Sequence, residues 1–501
     1  MIHSALTHRV LIYAFGVLLL RLVASAISSF RTRQWLFLVA SYLFYASWGP
    51  WFLAVLVFSS LVNYALGIHL RRRITPGRLW LGIGFNLLLL CFFKYLPLIG
   101  GISTSNTVAA RLGHIVLPLG MSFWTFQAIS YLLDLYREED LDPSLLEFCL
   151  FMAFWPTVIS GPVCRLPNML PQFRQASGLT WEDMGKGTQR MLTGIFMMAV
   201  SQVLAVGLAS GQGVDGGFAR AANSLGGLDV WCLVVGYGFQ LFFNFAGYSH
   251  IVIGAAQLFS IRLQENFNRP YLSTTPSMFW TRWHMSLSFW IRDYVFFPIA
   301  TLRREIWWRN ASLVISMFVF GLWHKGSLLF MLWGIYHGFV LVLHRQWQQL
   351  QLKWEIRLPR HLLTPLSWLV TFGAVSLGWI FFRAESKEQA ATMVRIVFSP
   401  ARYTRVTLPL NFCGLSLLAM IGYFAVVGIA ALLDRQARPA PSAASVGGAA
   451  GYERSPSGVL ALLARDRWVW VVPIVIVLTV YALLILHQPV PLIGPMMYRV
   501  F

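Results

Sequence analysis

Long apolar runs separated by short basic turns dominate the pattern of this chain. Before residue 260 the runs lie near Arg9–Ile27, Trp35–Trp48, Phe52–Leu70, Leu79–Gly100, Ile115–Tyr136, Phe148–Val163, Met191–Leu208 and Val230–Phe259. Beyond it come Ala311–Leu322, Leu328–Leu343, Leu363–Phe382, Asn411–Leu433 and Val469–Leu486. A membrane span takes about 20 apolar residues, and fewer where it is re-entrant, so the pattern predicts roughly 11 to 13 membrane elements. Arg31 and Arg33, then Arg71-Arg72-Arg73, alternate with Gly49-Pro50 and the uncharged 101–107 loop. Basic turns stay in the cytoplasm, which places the amino terminus outside. The first run ends in Ala24-Ser25-Ala26 but lacks a strongly basic leader, so it is expected to be an uncleaved span.

Two stretches depart from this pattern. His344 to His361 mixes Trp347, Leu350, Leu352, Trp354 and Ile356 with four cations, as a segment lying along the membrane surface would. Residues 435–457 are rich in Ala, Pro, Ser and Gly, and are expected to form a flexible loop.

Composition agrees with the pattern: 501 residues, 57% hydrophobic, 12% charged, mean hydropathy +0.63. Soluble domains carry about a quarter charged residues. The net charge of +20 would point to nucleic acid in a soluble protein, but here the cations fall in turns between apolar runs, so a lipid bilayer is the expected partner. Cys91, Cys149, Cys164, Cys232 and Cys413 have no CxxC spacing and read as small apolar residues.

The chemistry is concentrated between residues 244 and 347. Arg282, His284, Arg292, Asp293, His324, Lys325 and His337 stand there among apolar runs, and ionisable groups at bilayer depth usually mark a site. If the segment from Ser277 is helical, His284, Ser288 and Arg292 share one face. Asp293 can pair with Arg282 or Arg292, and a structural ion pair explains these residues as well as catalysis does. Lys325-Gly326 tends to break the helix after His324. On a continuous helix His337 would lie about 20 Å from His324 and on another face, so the two would not act on one atom. A histidine in an apolar run is often only a packed core residue, and spacing alone leaves that open. HExxH, Walker and nucleophile-elbow motifs are missing, so neither a metal nor a serine triad is expected. No internal repeat supports a transporter.

Several ordered blocks carry a resemblance. They are Leu117-Pro118-Leu119-Gly120-Met121-Ser122-Phe123, Ser160-Gly161-Pro162, Gly247-Tyr248-Ser249, Glu265-Asn266-Phe267-Asn268, Trp283-His284-Met285-Ser286, Gly321-Leu322-Trp323-His324 and Gly378-Trp379-Ile380-Phe381. With them the chain resembles the membrane-bound O-acyltransferase family, in its bacterial alginate O-acetyltransferase-like branch. The resemblance implies one membrane-embedded domain over residues 1–501, a helical bundle with re-entrant elements around a central tunnel, with the catalytic core in 244–347. It gives His324 the catalytic position and His284 the second active-site position. Arg282, Ser288, Arg292, Asp293, Asn244, Lys325, Tyr336 and His337 are candidate substrate-binding or supporting residues. The branch usually carries Asp where this chain has Asn244 and His250, and Gly where it has Lys325.

The implied function is transfer of an acetyl group from acetyl-CoA, a substrate and not a cofactor, toward hydroxyls of a cell-envelope polysaccharide. The setting would be the bacterial inner membrane. A periplasmic partner acyltransferase or polysaccharide-synthesis complex would complete the system. A neutral imidazole suits the general base of such a reaction near pH 7. D-alanyl or other acyl transfer to a teichoic acid-like polymer is the alternative, with a transporter or proton channel behind it.

Overall fold

The computed structural model describes residues 13, 16–97, 116–175, 180–208, 211–355 and 359–436. Among these residues all regular structure is helical, and eight helices are long and apolar enough to cross a membrane. Large apolar side chains such as Leu43, Leu88 and Leu343 are two-thirds or more exposed, a surface suited to lipid. The protein is an all-α, multi-pass membrane protein, as the apolar runs predict. It divides into two compact units. Among the described residues, one holds those up to Gly194 and Tyr248–Lys387, the other Ile195–Gly247 and Glu388–Gln436.

In the first unit, α1 (Gly16–Ala26) is followed by α2 (Phe30–Ala46), α3 (Pro50–Arg72) and α4 (Pro76–Lys94). Gly49 caps α3 and Pro50 opens it, where the missing proline N–H removes no helical bond. Asn63 and Asn86 exchange amide hydrogen bonds of 2.6 and 3.1 Å between α3 and α4, satisfying polar groups that lipid could not. Next comes α5 (Met121–Tyr136).

The membrane element expected at Phe148–Val163 is a re-entrant one. Here α6 (Leu145–Ala153) has only 9 residues and rises about 13 Å. From Phe154 to Arg165 the chain is largely non-helical, and α7 (Leu166–Arg174) brings it back. Arg174 at the end of α7 pairs with Glu147 at the start of α6 (2.7 Å), so the excursion leaves and returns at one level. That level is the basic turn after α3, because Arg71 pairs with Asp142 at 2.6 Å. Apolarity is the same for a full span and a re-entrant one, so the run alone does not tell them apart.

Glu147 also closes a capping box with Ser144. Burial alone would raise its carboxyl, but the Arg174 fork and the Ser144 N–H and hydroxyl outweigh burial and hold it down at about 2, against an ordinary 4.5. A depressed carboxylate stabilises the fold above its unfolded value, and that stability drains away as pH falls toward the folded one. In detergent, the thermal-stability gap between wild type and Glu147→Gln should therefore be widest above pH 4.5 and close toward pH 2. A gap independent of pH would mean that Glu147 acts only through packing.

Helices α8 (Trp181–Val206) and α9 (Gly227–Gln257) contribute to both units. A broken stretch follows in the first unit: α10 (Pro276–Trp280), α11 (Met285–Ile291), a π turn over Arg292–Phe296, and α12 (Phe297–Ala300). Then α13 (Ile306–His324) and α14 (Leu328–Lys353) pack as a close hairpin. Gly321, Gly334 and Gly338 let their backbones meet, since a Cβ at each would strike the opposite helix. The expected surface segment from His344 is mostly the continuation of α14 to Lys353, because nothing before Trp354 breaks the helix. The first unit is completed by α15 (Arg360–Arg383).

In the second unit, the fully buried Asp229 accepts hydrogen bonds from Gly226 N (2.8 Å), Thr407 N (2.9 Å) and Thr407 Oγ1 (2.7 Å), pinning one turn to the start of α9. This unit also carries α16 (Lys387–Val397) from Glu388 on, and α17 (Leu410–Gln436). Arg435 and Gln436 of the expected flexible loop belong to α17. The remainder of that loop, like the run at 469–486, lies outside the described residues.

Candidate active site

The predicted face shared by His284, Ser288 and Arg292 does not form. The helix stops at Trp280 and resumes at Met285, with His284 as the residue before it in left-handed conformation (φ 43, ψ 53). Such a backbone costs a non-glycine residue about 1–2 kcal/mol, so surrounding contacts must impose it. They are visible: the Asn266 carbonyl accepts the Met285 N–H (2.8 Å), and the Arg282 carbonyl accepts the Asn268 N–H (2.9 Å). Asn266 Oδ1 accepts the Ser286 hydroxyl (2.6 Å), and its amide donates to Ser249 Oγ (3.1 Å). Ser286 Oγ in turn accepts the Val163 N–H from the re-entrant loop (2.9 Å). Asn266, Ser249 and Ser286 are all buried, so this polar knot fixes the backbone on either side of His284. Ser288 turns back to the chain, donating to the Trp283 carbonyl (2.9 Å).

His324 closes α13, and the helix breaks after it as the Lys-Gly pair predicts: Lys325 is extended (φ −155) and exposed. His324 is buried in a cage of rings, with centroids at 5.2 Å for Phe320, 4.8 Å for Trp323, 5.5 Å for Trp333 and 5.3 Å for Phe382. Its Nδ1 has no hydrogen-bond partner among the described residues, so packing and not a carboxylate orients the ring.

The continuous helix assumed between His324 and His337 is absent, because the two lie on neighbouring helices. They nevertheless stay apart, since the Trp333 ring contacts both, at 5.5 and 5.2 Å. His337 also packs on Trp280 (5.1 Å) and against Gly378 of α15, where a Cβ would come within 2.5 Å of His337 Nε2. That contact accounts for a glycine at position 378. Tyr336 turns to α15 and donates to the Ala374 carbonyl (2.8 Å).

Beside His324 lies a cavity of about 170 Å³. Leu117 to Phe123, Ile159 and Ser160 line it, with Lys94, Trp323 and His324. The ring of His284 is 6.5 Å from that of Trp323, so the two predicted histidines flank one tryptophan. Lys94 was not among the predicted residues, although a lysine within the apolar run Leu79–Gly100 is a signal that could have found it.

Arg292 and Asp293 form a separate cluster. Asp293 pairs with Arg292 (2.7 Å) as expected, and also with Arg165 (2.8 Å), while its carbonyl accepts from Arg137 (2.8 Å). Burial opposes the charge, but the two arginines hold the carboxyl below its usual range. Tyr294 donates to Asp134 (2.6 Å) behind them. This is the ion pair the sequence allowed, enlarged by Arg165 from the re-entrant segment. Arg282 is half-buried in the link before His284. Asn244 is half-buried on α9 within the second unit.

The described residues thus bring a caged histidine, a strained histidine loop and a lysine-lined cavity into one unit. The sequence pattern of the MBOAT, membrane-bound O-acyltransferase, family matches residues 120–384, which contain both histidine motifs. The chain belongs to this family. Consistent with that, it is 33% identical over 437 residues (84% of this chain, 86% of the relative) to a protein of Pseudomonas putida described as a probable alginate O-acetylase, AlgI. It is 32% identical over 399 residues (72% and 73%) to the peptidoglycan O-acetyltransferase of Helicobacter pylori. A teichoic acid D-alanyltransferase of Streptococcus thermophilus is 31% identical over 242 residues (46% and 57%). This chain is an O-acyltransferase.

Proposed function

We propose that this membrane-bound O-acyltransferase moves an acetyl group from acetyl-CoA to hydroxyls of a cell-envelope polysaccharide, working in the bacterial inner membrane with a periplasmic acyltransferase or polysaccharide-synthesis partner. The observation that carries the reading is His324 at the wall of the 170 Å³ cavity, with the rigidly held His284 loop on the other side of Trp323. In this reading His324 is the general base. The acceptor hydroxyl oxygen attacks the thioester carbon while its proton passes to imidazole, and the C–S bond then breaks to release the CoA thiolate, which takes up a proton. His284 orients the acceptor or stabilises charge at the carbonyl oxygen.

Relatives named for acetylating alginate and peptidoglycan support an acetyl donor and a polymeric acceptor. The shorter match to D-alanyltransferases favours the alternative acyl group on a teichoic acid-like polymer. Purified protein in liposomes, offered acetyl-CoA labelled in the acetyl group, should release free CoA and leave label covalently on added polysaccharide. Label crossing the bilayer without covalent transfer would mean transport, and transfer only from a D-alanyl thioester would establish the alternative.

A further inference from the structure

Lys94 ends α4 and lies on the cavity wall with His324. Its ammonium donates to the Trp323 carbonyl and to Ser122 Oγ (3.2 Å), and sits 5.2 Å from the Trp323 ring centroid. The adjacent Tyr95 donates its hydroxyl to the Leu322 carbonyl (3.0 Å). Both carbonyls belong to the last turn of α13, whose extended Lys325 supplies no cap. Part of the role of Lys94 is therefore to complete the helix end that presents His324, where the dipole also favours a cation.

Capping does not exhaust the group. An ammonium has three N–H donors, and two have partners here. Among the described residues Lys94 pairs with no carboxylate, although it is half-buried at the end of a membrane-length helix. Ser122, itself buried, lines the same cavity.

We propose that Lys94, held by Ser122, binds a negatively charged oxygen of the substrate in this cavity during acyl transfer, an inference that rests on the reading of His324 as the base. Two sources share that chemistry. One is the thioester carbonyl oxygen, which takes up the electron pair of the C=O π bond as the acceptor oxygen bonds to carbon, and returns it when the C–S bond breaks. The other is a carboxylate on the acceptor. In either case Lys94 donates a hydrogen bond and keeps its proton.

The test uses the full-length protein in liposomes with acetyl-CoA and two acceptors, a neutral oligosaccharide and one bearing carboxylates. Loss of one donor to a developing oxyanion typically lowers kcat roughly 10²–10³-fold. Lys94→Met should do so with both acceptors if the oxyanion is the ligand, and should raise KM for the carboxylate acceptor alone if the acceptor is. Lys94→Arg should restore most of either loss. Tyr95→Phe, which removes only a helix-capping contact, should lower thermal stability while leaving kcat in place. If Lys94→Met does not fold, Lys94→Gln keeps a donor for the Trp323 carbonyl and is measured in the same way. Wild-type kcat and KM in a folded Met or Gln variant overturn the inference, as does activity that merely follows melting temperature across the Lys94 and Tyr95 variants. A wild type that moves no acyl group from acetyl-CoA overturns the reading of the reaction itself.

Discussion

His324→Ala and His324→Gln should each lower acyl transfer roughly 10²–10⁴-fold, since that is what positioned general bases typically contribute. The two variants differ in what they do to the fold. Alanine empties the space between Phe320, Trp333 and Phe382, whereas glutamine fills most of it, so a loss shared by both reports chemistry and not packing. His284→Ala should come next in severity. The strained backbone at His284 is held on either side by Asn266 and Ser286, so the loop should persist and the loss should appear in turnover. His337→Ala should act mainly through folding, because the ring wedges between Trp280, Trp333 and α15, with Trp333 separating it from His324. Transfer rate, expression and detergent melting temperature, measured together for each variant, separate these effects. Near-normal turnover in His324→Gln, combined with a folded but inactive His337→Ala, would move the active site to Tyr336 and His337.

Much of this arrangement is legible along the chain. Apolar runs of spanning length, Gly49-Pro50 as the stop and start of helices, and Lys325-Gly326 as a break after His324 all follow from local chemistry. The parts that are not legible along the chain have a common cause. Whether Phe148–Val163 spans or turns back depends on Glu147 meeting Arg174, and hydropathy does not register that pairing. Likewise Thr281 to His284 leaves the helix because the backbone of Asn266 and Asn268, far back in sequence, takes the hydrogen bonds that the next turn would have used. The Lys94 ammonium meets Trp323 across more than two hundred residues, and no spacing rule reaches that far. The histidine motifs are read from the resemblance, while the groups that hold them in place come from folding.

The largest structural effect is expected from Gly120→Ala, in the Leu-Pro-Leu-Gly-Met-Ser block. Gly120 is the residue before α5, in left-handed conformation (φ 71, ψ 4), and its carbonyl accepts the Phe123 N–H at 2.8 Å. A Cβ there would overlap the Val158 carbonyl and stand 2.8 Å from Ile159 Cα, all backbone atoms of the re-entrant loop with no side chain to swing aside. The left-handed conformation costs alanine about 1–2 kcal/mol. Forcing the loop away adds about 1–3 kcal/mol. Together these approach the whole stability of a marginal fold. The displaced loop would also carry Ile159 and Ser160, which line the cavity beside His324, so whatever protein does fold should have impaired transfer. Gly84→Ala supplies the control: that glycine lies within α4 with open space around it, and alanine favours helix by about 1 kcal/mol. Folded yield by size-exclusion chromatography and transfer per folded molecule should both collapse for Gly120→Ala and hold for Gly84→Ala. Equal behaviour of the two would mean that the approach of Gly120 to the re-entrant loop does not shape the cavity, and that the block owes its pattern to another constraint.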